Sequence, residues 1–139
     1  MTRIETILLA TDASPASVAA EDQAIDLAAR LEARLVVLSV VAGSPAVREA
    51  RQLAVERVVQ RARREGAEAS GLTWSGDAGE SIVEAAGAEG ADLIVVGTHE
   101  RGAVGRLFLG SVSHHVVRHA RCPVLVVRPT RVAAPAGAS

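Results

Sequence analysis

The sequence has no lysine and no tyrosine, and only one cysteine, one tryptophan and one phenylalanine. Because every basic side chain apart from the histidines is arginine, Walker-type phosphate binding and Schiff-base chemistry by lysine are excluded. The lone Cys122 cannot form an internal disulfide. Two aromatic residues, Trp74 and Phe108, are too few for a stacking platform that binds single-stranded nucleic acid.

Charge and hydropathy exclude further classes of protein. A formal net charge of -1 argues against nucleic acid as a partner, because phosphate-backbone binding normally needs a clearly basic face. No apolar run approaches the roughly 20 residues of a membrane span, so we expect a soluble protein without a membrane partner. The first 20 residues carry acids and Pro15 where a signal peptide would be continuously apolar, which favours a cytoplasmic location.

Short β-branched runs alternate with longer alanine-rich runs of helical spacing. This alternation predicts an α/β fold, a parallel sheet covered by helices on both faces. We expect a single doubly wound, Rossmann-like sheet of five strands in the order 3-2-1-4-5. The expected domain covers residues 1–129, and residues 130–139 form a flexible C-terminal tail. The predicted strands are Ile4 to Ala10, Leu35 to Val41, Glu68 to Ser75, Asp92 to Val96 and Pro123 to Arg128.

Four helices are predicted between these strands. The first follows Ser14 and Pro15, where the serine supplies a capping hydroxyl, and runs to about Leu31. The second follows Ser44-Pro45 and stops at Gly66. The other two run from about Glu80 to Glu89 and from Ser111 to His119.

Doubly wound sheets bind ligands beyond the carboxyl ends of their strands, where the winding reverses. If the first and fourth strands flank that reversal, Thr11-Asp12 and the loop that starts at Gly97 face one crevice. A missing side chain at Gly97 would let a ligand approach the backbone. The hydroxyls of Thr98, Ser111 and Ser113 would add hydrogen-bond donors.

The segment from Gly110 to Ser113 opens a helix, and helix starts present unpaired N–H groups to anions such as phosphate. Asp12 could accept hydrogen bonds from ribose hydroxyls or hold Mg²⁺ through water. Asp12 could equally cap the first helix, and Gly110-Ser111 alone is typical of an ordinary loop-to-helix junction. The coincidence of Asp12, Gly97 and Gly110-Ser111 favours a nucleotide site.

Five segments together resemble the universal stress protein family over residues 1–129. They are Ile7 to Ser14, Gly76-Asp77, Ala91 to His99, Leu109 to Ser113, and Val117 to Val127. The ATP-binding branch of that family is marked by Gly, two residues, Gly, nine residues, then Gly-Ser or Gly-Thr. Gly97 and Gly110-Ser111 keep this spacing, and Glu100 replaces the middle glycine.

The resemblance implies an ATP-binding, stress-signalling protein and assigns roles within the site. Asp12 would lie at the ribose and the metal, and Val40 would offer backbone contacts to adenine. The remaining implied contacts around ribose and phosphates are Gly97, Gly110, Ser111 and Val112. His99, in the same loop, is expected to contact the ligand or to make the loop pH-sensitive.

Glu100 leaves alternatives open. Beside a phosphate at about 4 Å in a partly screened site, its charge would cost about 4 kcal/mol before relaxation. Glu100 could swing to solvent, pair with Arg101 or Arg106, or bind the metal of the phosphates. If it instead closes the pocket, the chain would be a nucleotide-independent dimeric interaction protein. A third possibility is weak ATP hydrolysis or self-phosphorylation on Ser111 or Ser113, because bound ATP would lie near these hydroxyls. The sequence contains no Gly-x-Ser-x-Gly elbow that would indicate dedicated catalysis.

Other reactive side chains favour structural roles. Of the four histidines, only His115 and His119 share a helix face, and no cysteine or carboxylate completes a metal site with them. Cys122 is expected to be a packing residue, with a redox role as the alternative.

The predicted fifth strand, Pro123 to Arg128, is apolar on both faces although it ends the sheet. Exposed edges of this kind are normally covered or paired. The resemblance implies a homodimer through this strand.

Overall fold

The structure is a computed structural model that describes residues 3–98 and 110–129. The strands are β1 (Thr6–Ala10), β2 (Arg34–Val40), β3 (Ala69–Trp74), β4 (Leu93–Gly97) and β5 (Val124–Val127). The helices are α1 (Val18–Leu31), α2 (Pro45–Arg64), α3 (Ala78–Glu89) and α4 (Ser111–His119), and a 3-10 turn at Pro15–Ser17 precedes α1. The predicted tail at 130–139 lies outside the described residues.

The five strands form one sheet of order β3-β2-β1-β4-β5, and every pair of neighbours is parallel. This confirms the predicted α/β fold and strand order, including β3 and β5 as the two edges. From β1 the chain winds outward through β2 to β3, then returns to β4 on the other side of β1. The winding therefore reverses between β1 and β4, which pair from Ile7↔Leu93 to Ala10↔Val96.

The sheet separates two aliphatic cores, because successive strand residues point to opposite faces. On one face, Leu9 and Val37 are fully buried and pack with α1 and α2. On the other face, Leu8 and Val36 are fully buried and pack with α3 and α4. Helices on both faces explain why the central strands read as continuous apolar runs.

The start of β1 differs from the prediction. The strand begins at Thr6, two residues after the predicted Ile4, because the Asp92 side chain holds the preceding backbone. Its Oδ2 accepts hydrogen bonds from the N–H groups of Glu5 at 2.9 Å and Thr6 at 3.0 Å. Asp92 itself directly precedes β4, which begins at Leu93. Its side chain therefore caps the amino end of the neighbouring strand β1.

Two helix starts also differ from the prediction. Ser14 precedes the 3-10 turn but its side chain makes no capping hydrogen bond, and its Oγ lies 3.4 Å from the Oγ of Ser17. The predicted capping hydroxyl at Ser14 is therefore wrong. α3 begins at Ala78, ahead of the predicted Glu80, because the Asp77 carboxylate accepts from the Glu80 N–H at 2.9 Å and so caps the helix.

Gly71 in β3 is predicted to be intolerant of a side chain. A Cβ there would lie 2.7 Å from Cγ1 of Val55 and 3.3 Å from Cγ2 of Val59, both on α2. We expect Gly71→Ala to lower the free energy of unfolding by about 1–3 kcal/mol through overpacking, measured by urea titration.

Gly87 supplies the matched control for this test. It lies in α3 with nothing within 4 Å of an added Cβ, so Gly87→Ala should be neutral or stabilising by roughly 0.5–1 kcal/mol. Equal effects of the two substitutions would contradict the packing of α2 on β3.

Candidate functional site

The carboxyl ends of β1 and β4 lie side by side at the point where the winding reverses. Thr11 directly follows β1, and Thr98 directly follows β4. The Thr11 N–H donates to the carbonyl of Leu38 at 2.9 Å, and the Thr98 N–H donates to the carbonyl of Val127 at 3.0 Å. These two bonds extend the sheet by one residue and fix where each loop leaves it.

The loop after β1 is held by side chains of its own residues. Asp12 Oδ1 accepts from the Ser14 N–H at 2.9 Å and from the Ser17 hydroxyl at 2.6 Å. The alternative interpretation of Asp12 as a support for the first helix is therefore correct for this oxygen. Ala13, between these residues, has a φ of 63°, a left-handed conformation that L-residues other than asparagine and aspartate rarely adopt.

The start of α4 forms the opposite wall. Gly110 is its N-cap, and the first-turn N–H groups of a helix have no partner within the helix. Ser113 is buried and its hydroxyl donates to the Gly110 carbonyl at 3.1 Å. This hydroxyl proton is thus used within the helix start, and donation from Ser113 to a ligand stays a prediction. Ser111 is exposed there.

Gly97 is the last residue of β4. A Cβ on this residue would point at α1, 3.7 Å from Cβ of Ala20, which is an ordinary van der Waals distance. The packing of α1 therefore leaves room for a Cβ at Gly97, and the backbone of this residue lines the cavity described next.

Between these walls lies a cavity of about 570 Å³, which we call the site cavity. Its aliphatic part includes Leu38, Val40, Ile82 and Val96. The predicted site residues that line it are Thr11, Asp12, Val40, Gly97, Thr98, Gly110, Ser111, Val112 and Ser113. Every predicted site residue that the structure describes thus borders one space, and the predicted His99 and Glu100 lie outside the described residues.

Seven further lining residues were not predicted from the sequence. They are Ala10, Ala16, Ser17, Leu38, Ala78, Ile82 and Val96. Ala10 and Val96 stand next to predicted residues and Leu38 is two residues before Val40, all at strand ends, so the rule about strand ends could have found them. Ala78 and Ile82 belong to α3, and their sequence spacing matches that of any core-facing helix residue.

A buried carboxylate lies beside the site cavity. Glu21 of α1 is buried, and its Oε2 accepts a hydrogen bond of 2.6 Å from the hydroxyl of Thr11. Burial raises the pKa of the Glu21 carboxyl above its ordinary value of 4.5, against the lowering effects of the Thr11 hydrogen bond and of Arg61. The sequence offered no signal for this pair, because Glu21 reads as one more acid on a surface helix.

Among residues 3–98 and 110–129, the side chains form no cluster of three or more His, Cys, Asp or Glu that could hold a metal ion. His115 and His119 stack with ring centroids 4.1 Å apart, and Nδ1 of His119 lies 2.8 Å from the His115 carbonyl oxygen. Burial, helped by Asp92, raises the pKa of the Cys122 thiol, and this side chain packs against the core facing α3 and α4. The stacking of the two histidines and the packing of Cys122 agree with structural roles for these three residues.

In the part of the chain that the structure describes, no helix is both long and apolar enough to cross a bilayer.

Comparison with known proteins points to one family. The model of the universal stress protein family matches residues 3–128. A universal stress protein of Thermus aquaticus is 42% identical, with 89% of this chain and 98% of that protein covered. One from Methanocaldococcus jannaschii is 34% identical, with 88% and 81% covered. A crystal structure of a universal stress protein in complex with cAMP is 30% identical with a TM-score of 0.78, covering 93% of this chain and all of that one.

The buried Glu21 predicts an unusual pH dependence of stability. Since its folded-state pKa is raised, the folded protein holds a proton that the unfolded chain releases above pH 4.5. The contribution of Glu21 to the free energy of unfolding is fully present below pH 4.5, and it is lost as the pH rises through the folded-state pKa. Glu21→Gln removes this titration, so the variant should gain stability relative to the wild type as the pH rises from 4.5.

Urea titrations of both proteins at a series of pH values measure this difference, with Asp26→Asn on the exposed face of α1 as the control. A difference between Glu21→Gln and the wild type that stays constant with pH would contradict a raised pKa.

Proposed function

The chain belongs to the universal stress protein family, and we propose that it binds an adenine nucleotide, ATP by preference, in the site cavity. The shape and lining of that cavity carry the proposal. Its volume of about 570 Å³ falls within the range of pockets that enclose small-molecule ligands, and it combines aliphatic walls with polar groups at loop and helix starts. The cAMP held by the 30% identical universal stress protein supports the same class of ligand.

The two kinds of lining suit the two ends of a nucleotide. The aliphatic side chains of Leu38, Val40 and Ile82 offer an apolar surface to a purine base. The N–H groups that open α4 at Ser111 and Val112 offer donors and a positive dipole end to phosphates. Asp12 also lines the site cavity and would accept hydrogen bonds from ribose hydroxyls. Thr98, His99 and Glu100 complete the proposed set from the other loop.

Mg²⁺ fits this site only as the partner of the phosphates. Asp12 is the one carboxylate among the described lining residues, and its Oδ1 already serves Ser14 and Ser17. Because Mg²⁺ is usually held by one or two carboxylates plus phosphates and water, Asp12 would supply a single protein contact. The ion would offset phosphate charge near Asp12 and Glu100.

We further propose that occupancy of this site reports a stress state to partner proteins. The loop from Gly97 to Ser113 connects β4 to the helix whose start would hold phosphate, so a bound ligand would contact both ends of one segment. A nucleotide-independent interaction protein, with Glu100 closing the cavity, is the competing function that the following experiment tests.

Asp12→Ala should weaken binding of Mg-ATP by about 10- to 100-fold, the range expected when a hydrogen bond to a charged group is lost. Isothermal titration calorimetry of the purified protein measures this. Asp26→Ala removes an exposed carboxylate from α1 away from the cavity and serves as the control. Asp12→Asn keeps an oxygen for Ser14 and Ser17 and so separates the charge from the loop support.

Glu100→Gly, in the same experiment, distinguishes the two functions. Tighter binding than the wild type would show that the glutamate weakens a working site. No heat from the wild type together with saturable binding by Glu100→Gly would establish the closed site and overturn the nucleotide function. No heat from any variant would exclude ATP as the ligand.

We also propose that the chain forms a homodimer through β5. Val124–Val127 is an edge strand whose four aliphatic residues are all partly exposed. The carbonyls of Pro123 and Val127 accept hydrogen bonds from the N–H groups of Ile94, within β4, and of Thr98, directly after it. In a parallel ladder the alternate residues, such as Val126, direct their backbone groups to the open edge. A second copy could pair there.

Val126→Pro should therefore convert a dimer into a monomer, because proline removes an outward N–H and leaves the bonds to β4 intact. Sedimentation equilibrium at micromolar concentration should give the wild type twice the 14.3 kDa chain mass and the variant 14.3 kDa. Val126→Thr, which keeps the N–H and a branched side chain, is the control. A wild-type mass of 14.3 kDa would refute the dimer.

A further inference from the structure

We propose that Glu21 is a positioning residue for the nucleotide site and acts through the hydroxyl of Thr11; the inference rests on the proposed function. Glu21 and Thr11 are 8% and 6% exposed, and Ser39 beside them is 1% exposed. Glu21 does not line the site cavity, whereas Thr11 does. The hydrogen bond from the Thr11 hydroxyl therefore links Glu21 to the lining of the cavity.

The first step is the direction of the hydrogen bond. A hydroxyl has one proton, and Thr11 gives it to Glu21 Oε2 at 2.6 Å, a short distance typical of donation to a carboxylate. The Thr11 oxygen is then oriented as an acceptor, and it receives the N–H of Ala13 at 3.0 Å. Glu21 thus fixes the orientation of the Thr11 hydroxyl.

The second step is the conformation of Ala13. At a φ of 63° this alanine adopts a backbone conformation that its Cβ disfavours, so the loop keeps it only if other contacts enforce it. The bond from its N–H to Thr11 is such a contact. Ala13 lies between Asp12 and Ser14, so its conformation places the Ser14 N–H where it donates to Asp12 Oδ1 at 2.9 Å and so restrains the Asp12 side chain beside the site cavity.

The third step is the restraint on Thr11 itself. Its carbonyl accepts from the buried Ser39 hydroxyl at 2.6 Å, and the same Ser39 oxygen accepts from Nη1 of Arg51 on α2 at 2.8 Å. The N–H of Thr11 donates a hydrogen bond to the carbonyl of Leu38. The backbone of Thr11 is thus fixed by β2 and α2, and the side chain is fixed by α1.

The burial of Glu21 also needs a reason other than stability. A carboxylate taken out of water costs free energy even when it is hydrogen-bonded, and an apolar residue of similar size is often neutral or better for the fold. The nearby charges do not remove this cost, since Asp12 and Asp22 oppose the attraction of Arg61. A carboxylate kept under such conditions indicates a role in the site that Thr11 and Asp12 form.

A double-mutant cycle tests the proposal. Glu21→Leu and Thr11→Val each remove the hydrogen bond from one side, and each should weaken Mg-ATP binding by about tenfold in calorimetry. The double variant should bind no more weakly than either single one, because both changes remove the same interaction. Additive losses, or unchanged affinity in Glu21→Leu, would overturn the proposal.

Three further variants separate positioning from a merely structural effect. Glu21→Gln keeps an oxygen acceptor at the same reach and should restore affinity to within about threefold of the wild type. Thr11→Ser keeps the hydroxyl and should do the same. Asp22→Asn, the adjacent exposed acid, should leave affinity unchanged. If Glu21→Leu does not fold, Thr11→Val against Thr11→Ser carries the comparison. Affinity lost equally in Glu21→Gln and Glu21→Leu would overturn the proposal.

Amide hydrogen exchange followed by NMR tests the loop without any ligand. In Glu21→Leu and Thr11→Val, exchange of the Ala13 N–H should accelerate several-fold, while the core amides of Leu9 and Val37 stay protected as in the wild type. If the wild type binds no nucleotide, the proposed function fails, and this measurement still decides the inference. Unchanged exchange at Ala13 would overturn it.

Discussion

The parallel pairing of β1 with both β2 and β4 is the constraint on which the rest of the structure depends. β1 lies at the centre of the sheet, and its residues from Ile7 to Leu9 are fully buried between the two aliphatic cores. Because all its neighbours run in the same direction, their carboxyl ends open on one edge. The reversal of winding between β1 and β4 separates the loops there and leaves the site cavity.

The loop at the end of β1 combines support and function in the same residues. Asp12 caps the turn that leads into α1, and it also borders the cavity. Ala13 takes a strained backbone conformation, and the buried carboxylate of Glu21 is bonded to the same Thr11 hydroxyl that accepts from the Ala13 N–H. These are departures from the most stable arrangement, and such departures are expected where a site must be held in one geometry.

The sequence predicted the features that depend on pattern. Apolar runs and alternation located all five strands, and the rule about strand ends identified Asp12 and Gly97. The helix start identified Ser111, and the family resemblance identified Val40; all four residues line one cavity. The sequence could not predict what depends on the direction of a side chain. Ser14 was expected to cap the first helix, but its side chain makes no capping hydrogen bond. The hydrogen bond between Glu21 and Thr11 joins side chains ten positions apart in the sequence. The packing of α1 on the sheet turns these side chains toward each other.

The most direct test of the account is a titration of Mg-ATP into ¹⁵N-labelled protein, followed in two-dimensional NMR spectra. The account predicts saturable shifts concentrated on the amides of Thr11 to Ser17, Val40, Gly97-Thr98 and Gly110 to Ser113. Spectra that stay unchanged at millimolar Mg-ATP would contradict it. Shifts confined to the outer face of α2 around Leu53 and Arg57 would contradict it equally.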